Sequence, residues 1–158
     1  MMCPASMEGR IDWSMIGSMR VVLATDHAGF LLKESIKAHL TGKSVDVLDV
    51  GTFSEEDVDY PPIIRKGCAA ALESNCPAVI FGGSGIGESI AANKVRGIRA
   101  ARCCTIEDAK LSRAHNDANV ISLGGRMLDP ETAKKVVDTF LATPFEGGRH
   151  EKRVKDLE

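Results

Sequence analysis

Along this chain, short apolar runs alternate with stretches whose apolar residues recur every three or four positions. RVVLAT (20–25) is a β-branched run of strand length, and GFLLKESIKAHL after it spaces Leu32, Ile36 and Leu40 four apart, on one face of a helix. The unit recurs in VDVLDVG (45–51), PPIIRKGCAAALE (61–73), PAVIFGG (77–83), IGESIAANK (86–94), GIRAARCC (97–104), IEDAKLSRAH (106–115), NVISLGG (119–125) and ETAKKVVDTFLAT (131–143). Five nearly continuous apolar strands separated by helices predict an α/β fold with a parallel sheet covered on both faces. Strand order cannot be read from this pattern. Asp129 and Pro130 form an N-cap and first-turn pair that fixes the start of the last long helix. Beyond Pro144, FEGGRHEKRVKDLE (145–158) reads as a glycine hinge and a basic helix, too polar to pack well on its own core and expected to reach a neighbour or a ligand. Residues 1–18 show no period; they are expected to form a disordered extension with Trp13 as the one candidate anchor, leaving 19–158 as a single domain.

Composition narrows the partners. The 158 residues, 44% hydrophobic and 27% charged, suffice for one sizeable core. A formal charge of −2 comes from 20 basic and 22 acidic residues scattered without a basic stripe, which argues against nucleic acid and for a small metabolite. No apolar run approaches the ~20 residues of a membrane span, and the first residues lack the apolar centre of a signal peptide, so a cytoplasmic protein is expected. Five cysteines are an odd number, and Cys68, Cys76, Cys103 and Cys104 lie in or beside apolar elements and outside CxxC pairs. Reduced packing cysteines, and not a metal or disulfide site, are the expectation.

In open parallel α/β sheets the ligand lies beyond the carboxyl ends of the strands. That directs attention to Asp26 and His27, Gly51 and Thr52, Gly83 to Glu88, Cys104 and Thr105, and Gly125 and Arg126. FGGSGIGESIAANK (81–94) is the most informative stretch: a strand end, a loop with Gly83, Ser84, Gly85 and Gly87, and a helix N-terminus, where backbone N–H groups and the dipole favour an anion. The loop lacks the Lys-Ser/Thr of a phosphate-binding P-loop, Glu88 stands at the third glycine position of GxGxxG, and GIRAARCC ends without an acidic residue for a ribose hydroxyl, so a dinucleotide site is disfavoured. Glu88 reads either as a first-turn carboxylate complementing the dipole or as a general base facing the crevice. His27 is either a bystander next to a capping Asp26 or a group suited to ring opening or phosphate binding. His115 ends a helix, where a cationic ring is favoured without any function. Arg149 and Arg153, four apart in GGRHEKR, are either a solvated tail or a fork for phosphate.

DHAGFLLK, GTFSEEDVDYP, GGSGIGESIAANK, SRAHNDAN and EGGRHEKRV, colinear over 20–154, closely resemble the type B ribose-5-phosphate isomerases, whose family also contains galactose-6-phosphate and allose-6-phosphate isomerases. The resemblance implies a Rossmann-like three-layer αβα sandwich with a five-stranded parallel sheet, no metal, no cofactor, and a homodimer, sometimes a tetramer, with shared active sites. It implies an aldose–ketose isomerase of the non-oxidative pentose phosphate pathway, interconverting ribose 5-phosphate and ribulose 5-phosphate through a cis-enediolate. By resemblance, Asp26 and His27 sit near the ring oxygen and phosphate, and Tyr60 lines the sugar pocket. His115 opens the ring from the partner subunit, with Asn116 on a sugar hydroxyl. Arg126, Arg149 and Arg153 hold phosphate, the last two across the interface. The backbone of Gly83 to Gly87 becomes the anion hole, and Ser84 passes a proton between O1 and O2. Many members carry a cysteine as base directly before the glycine loop; here that position is Gly82, and the sequence matches the branch that uses the glutamate, Glu88. A six-carbon sugar phosphate, a non-catalytic flavodoxin-like nucleotide-binding module and an inert structural dimer remain as alternatives.

Overall fold

The computed structural model describes residues 19–158; the expected extension over 1–18, with Trp13, lies outside them. In chain order the elements are β1 (Arg20–Thr25), a 3₁₀ turn (His27–Gly29), α1 (Phe30–Gly42), β2 (Asp46–Asp49), α2 (Tyr60–Ser74), β3 (Ala78–Gly82), α3 (Ile86–Asn93), β4 (Ala100–Arg102), α4 (Ile106–Asn116), β5 (Val120–Gly124), α5 (Pro130–Ala142) and α6 (Arg149–Asp156). The strands form one parallel sheet in the order β2-β1-β3-β5-β4.

Side chains along the central strands alternate between two cores, as a period of two requires. Val21, Leu23, Val79, Phe81, Ile121 and Leu123 face a core closed by α1, α4 and α5, through residues such as Ile36, Ala109 and Phe140. Val22, Ala24, Ala78, Ile80 and Val120 face the opposite core, closed by α2 and α3 through Ile64, Cys68 and Ala92. The result is the expected three-layer αβα sandwich. β2 and β4 are shorter than their apolar runs, because each lies at a sheet edge with a single neighbouring strand to pair with.

The chain runs from β1 outward to β2 and then returns to β3 on the other side of β1. That reversal opens a crevice between the carboxyl ends of β1 and β3, the place where such sheets bind ligands. Asp26 follows β1 and Gly82 ends β3 at this point, with β5 and Gly124 next to β3. Residues after the edge strands, Gly51 and Thr52 or Cys104 and Thr105, lie to either side.

The polar tail does pack on its own domain, contrary to the expectation from its composition. α6 rests against α4: the Glu146 N–H donates to Ala114 O at 3.0 Å and His150 is buried. Two imidazoles and a backbone bond make the contact, which a count of apolar residues cannot register. Cys68, Cys76 and Cys103 are buried and Cys104 is half-buried. Burial pushes the Cys68 thiol up to about 11 and the Cys103 thiol up to about 12, so neither forms a thiolate readily. Among the described residues, no helix is long and apolar enough to cross a membrane.

Candidate active site

The glycine loop turns at Gly85, whose φ of +79° is left-handed and suits glycine, and α3 starts at Ile86. The Ile86 N–H donates to Ser84 Oγ at 3.2 Å, and Ser122 Oγ donates to Gly85 O at 2.7 Å, which fixes the loop to β5. Glu88 follows in the first turn of α3 and is 4% exposed. Its carboxylate lies directly over Gly82: a β-carbon on Gly82 would overlap Glu88 Oε1 and stand 2.6 Å from Oε2. The side chain of Glu88 therefore fills the space that any side chain at position 82 would need. Burial raises its pKa, helped by the negative charge of Asp26, and outweighs the hydrogen bonds from its own N–H and that of Gly85, which favour the ionised form. Two loop amides thus already serve this carboxylate.

Asp26 is buried and caps the 3₁₀ turn, its Oδ1 accepting from Ala28 N at 3.0 Å and Gly29 N at 3.2 Å. His27, next in the turn, has Nδ1 3.1 Å from the Val58 amide nitrogen and Nε2 3.5 Å from Asp57 Oδ1. The segment 51–59 that carries Val58 and Asp57 is tied in turn to the domain by the fully buried Lys33, whose Nζ donates to Thr52 O at 2.8 Å and to Asp49 Oδ2 at 2.7 Å. Tyr60, at the start of α2, lays its hydroxyl against Gly87, where a β-carbon would collide with it. Beyond β5, the Gly125 N–H donates to Gly82 O at 2.7 Å and the Arg126 N–H to Gly83 O at 3.0 Å, which brings the Arg126 guanidinium over Gly83.

Asp26, His27, Tyr60, Gly83, Ser84, Gly87, Glu88 and Arg126 all line one open cavity of about 400 Å³, completed by Ala28 and Met127. It holds an acid, an imidazole, a phenol, a hydroxyl, a buried carboxylate and a guanidinium around a helix N-terminus. Such a set can bind a polyhydroxylated anion and move a proton on it. Ala28 and Met127 carry no chemical signal in the sequence. Lys33 and Asp57, which hold His27 and its neighbours, are equally silent there, because an exposed and a buried lysine read alike.

Five of the expected residues are not brought to this cavity by the single chain: Gly85, at the turn of the loop, accepts from Ser122 Oγ and does not line it, and the other four lie elsewhere. His115 and Asn116 end α4, and Arg149 and Arg153 lie exposed one turn apart on α6. His115 stacks instead on His150, with ring centroids 4.2 Å apart and planes at 15°. Glu146 lies beside both rings. Sequence reading singled out neither His150 nor Glu146 for this contact, and only the fold of the tail onto α4 brings them to His115.

The profile of the ribose/galactose isomerase family matches residues 21–157. Ribose-5-phosphate isomerase B of Escherichia coli K12 is 43% identical over 139 residues, 87% of this chain and 93% of that protein. The crystal structure of a ribose 5-phosphate isomerase from Thermotoga maritima superposes with a TM-score of 0.86 at 47% identity, covering 88% of this chain and 97% of that one. Ribose-5-phosphate isomerase B of Mycoplasma genitalium with bound ribulose-5-phosphate gives a TM-score of 0.84 at 34% identity, over 89% and 94% of the two chains. A family profile over nearly the whole described chain and relatives above 40% identity over most of its length show that the chain belongs to the ribose/galactose isomerase family.

Proposed function

We propose that this protein is an aldose–ketose isomerase that interconverts ribose 5-phosphate and ribulose 5-phosphate. The observation that carries the reading is the buried Glu88 carboxylate over the side-chain-free Gly82, at the floor of a cavity rimmed by loop amides and Arg126. Relatives with this activity in their names favour the five-carbon substrate over a six-carbon sugar phosphate.

In this reading Glu88 takes the proton from C2 of the open-chain aldose and returns it to C1. The electrons of the C2–H bond form the C1–C2 double bond of a cis-enediolate while the carbonyl oxygen O1 gains negative charge. N–H groups of the Gly83 to Gly87 loop not already turned to Glu88 stabilise that charge, and Ser84 moves a proton between O2 and O1. Preorganised donors of this kind and a positioned base each contribute on the order of 10²-fold or more. The raised pKa of Glu88 makes it a stronger base than an ordinary carboxylate, and it sets an acidic limb on kcat/KM through which activity rises with pH. Asp26 and His27 meet the ring oxygen and phosphate, Tyr60 lines the sugar, and Arg126 meets the phosphate. His115, Asn116, Arg149 and Arg153 come from the partner subunit of a homodimer, His115 opening the furanose ring; that none of the four lines the chain's own cavity is what supports a shared site.

Glu88→Gln is the direct test. In a coupled assay with ribose 5-phosphate, turnover is expected to fall by at least ~10²-fold with little change in substrate binding; near-normal turnover would remove Glu88 as the base. The same variant is expected to melt at a higher temperature than wild type at neutral pH. A carboxyl whose folded pKa is raised favours the fold below its unfolded value and loses that advantage as pH rises through the folded value, so ionised Glu88 is a cost that glutamine does not carry.

A further inference from the structure

His115, Glu146 and His150 are the one group of metal-ligating side chains that converge among the described residues outside the cavity. Three elements assemble it: the last turn of α4, the α5–α6 connection and the first turn of α6. The Glu146 backbone is fixed by its N–H donating to Ala114 O at 3.0 Å, and the His150 side chain is only 9% exposed, so the cluster is not a chance meeting of surface arms. Glu146 Oε2 lies 3.9 Å from His115 Nε2 and 3.8 Å from His150 Nε2, and one ligand atom from each of the three residues falls within 4.8 Å of the others.

We propose that His115, Glu146 and His150 form a binding site for a divalent transition-metal ion of the zinc class, and that occupation of it withdraws the His115 imidazole and inhibits the isomerase. The inhibitory half rests on the role given to His115 above; the binding half does not. Two imidazole nitrogens and one carboxylate oxygen are a donor set that zinc accepts, with a fourth position left for water. Zinc–ligand bonds of about 2.0–2.1 Å space tetrahedral ligands about 3.4 Å apart, so Glu146 has to approach each imidazole by a few tenths of an ångström. Its side chain is 60% exposed and free to do so, and the two imidazoles, stacked with their planes at 15°, must close on each other as well. Against the ion stand the charges of Arg149 and Arg153, and Arg149 Nε, 3.5 Å from His150 Nε2, must be displaced. The site is therefore one for a strong borderline-soft ion and not for magnesium or calcium.

Titration of the full chain with zinc chloride, followed by calorimetry and by the isomerase assay, tests both halves. One ion per chain is expected, with matching loss of activity restored by a chelator. Changes outside the ligand shell already cost about 10–100-fold in metal affinity, so Glu146→Gln and His150→Ala should each weaken binding by about tenfold or more. Cobalt substituted for zinc should give an absorption spectrum without a sulfur charge-transfer band. Equal affinity in wild type and both variants, or a sulfur band, would overturn the site. Zinc bound through these residues with isomerisation untouched would uphold the site and overturn the inhibitory half, along with the role of His115 in the reaction.

Discussion

A β-carbon at position 82 and the carboxylate of Glu88 compete for one volume at the floor of the cavity. Gly82→Ala should therefore expel the carboxylate from its position and lower kcat by about 10²-fold, the scale of a misplacement of about an ångström. Adding Glu88→Ala removes the collision, so the double variant should regain the melting temperature lost by Gly82→Ala without regaining activity. Recovery of activity in the double variant would show that the Glu88 carboxylate is not the base. At this scale much was legible in the sequence. The glycine loop, Glu88, Asp26, His27, Tyr60 and Arg126 follow strand ends or open helices, positions that the period of the apolar runs already marks. What was not legible was burial: whether the dipole or desolvation governs Glu88 depends on packing, and here desolvation prevails.

Among the elements, the segment between β2 and α2 hangs on one buried charge. Asp49 is held below its ordinary pKa: burial pushes it up, and the hydrogen bonds from Lys33, the Gly51 amide and Lys37 outweigh that push. A depressed carboxylate stabilises the fold above its unfolded pKa of about 3.9, and that contribution disappears as pH falls through the folded value. Lys33→Met leaves Asp49 buried without its main partner, a loss of about 3–5 kcal/mol, and Tm should drop by on the order of 10 °C. The acid-unfolding midpoint should move to higher pH in the variant. A melting temperature and acid midpoint both equal to wild type would show that Lys33 does not support this segment. The fully buried lysine escaped the sequence reading because Lys33 occupies a polar slot on α1 next to the apolar Leu32, and only the return of residues 49–52 covers it. The edge strands were read too long for a related reason. Apolar runs record what is buried, whereas the length of a strand is set by its paired residues: four of β2 with β1 and three of β4 with β5.

For the whole molecule, the strand order decides where the cavity falls. No periodicity specifies β2-β1-β3-β5-β4, since the three central strands are alike buried on both faces and all five pair in the same parallel sense. A shared site has a sharp test at this scale. Glu88→Gln and His115→Ala chains, each inactive alone, should recover activity when mixed under conditions of demonstrated exchange, because one of the two sites in a mixed dimer then carries both wild-type residues. Absence of recovery would count against a site divided between subunits.

The Gly82–Glu88 overlap also constrains how such a site can be inherited. Because one volume admits a side chain from position 82 or the carboxylate from position 88, and not both, the two positions behave as a single character with strong epistasis between them. A lineage cannot add a base at one position and retire the other at leisure. The intermediate with both collides and, on the proposed mechanism, the intermediate with neither lacks a base, so the glycine that ends β3 reports on the group six positions away.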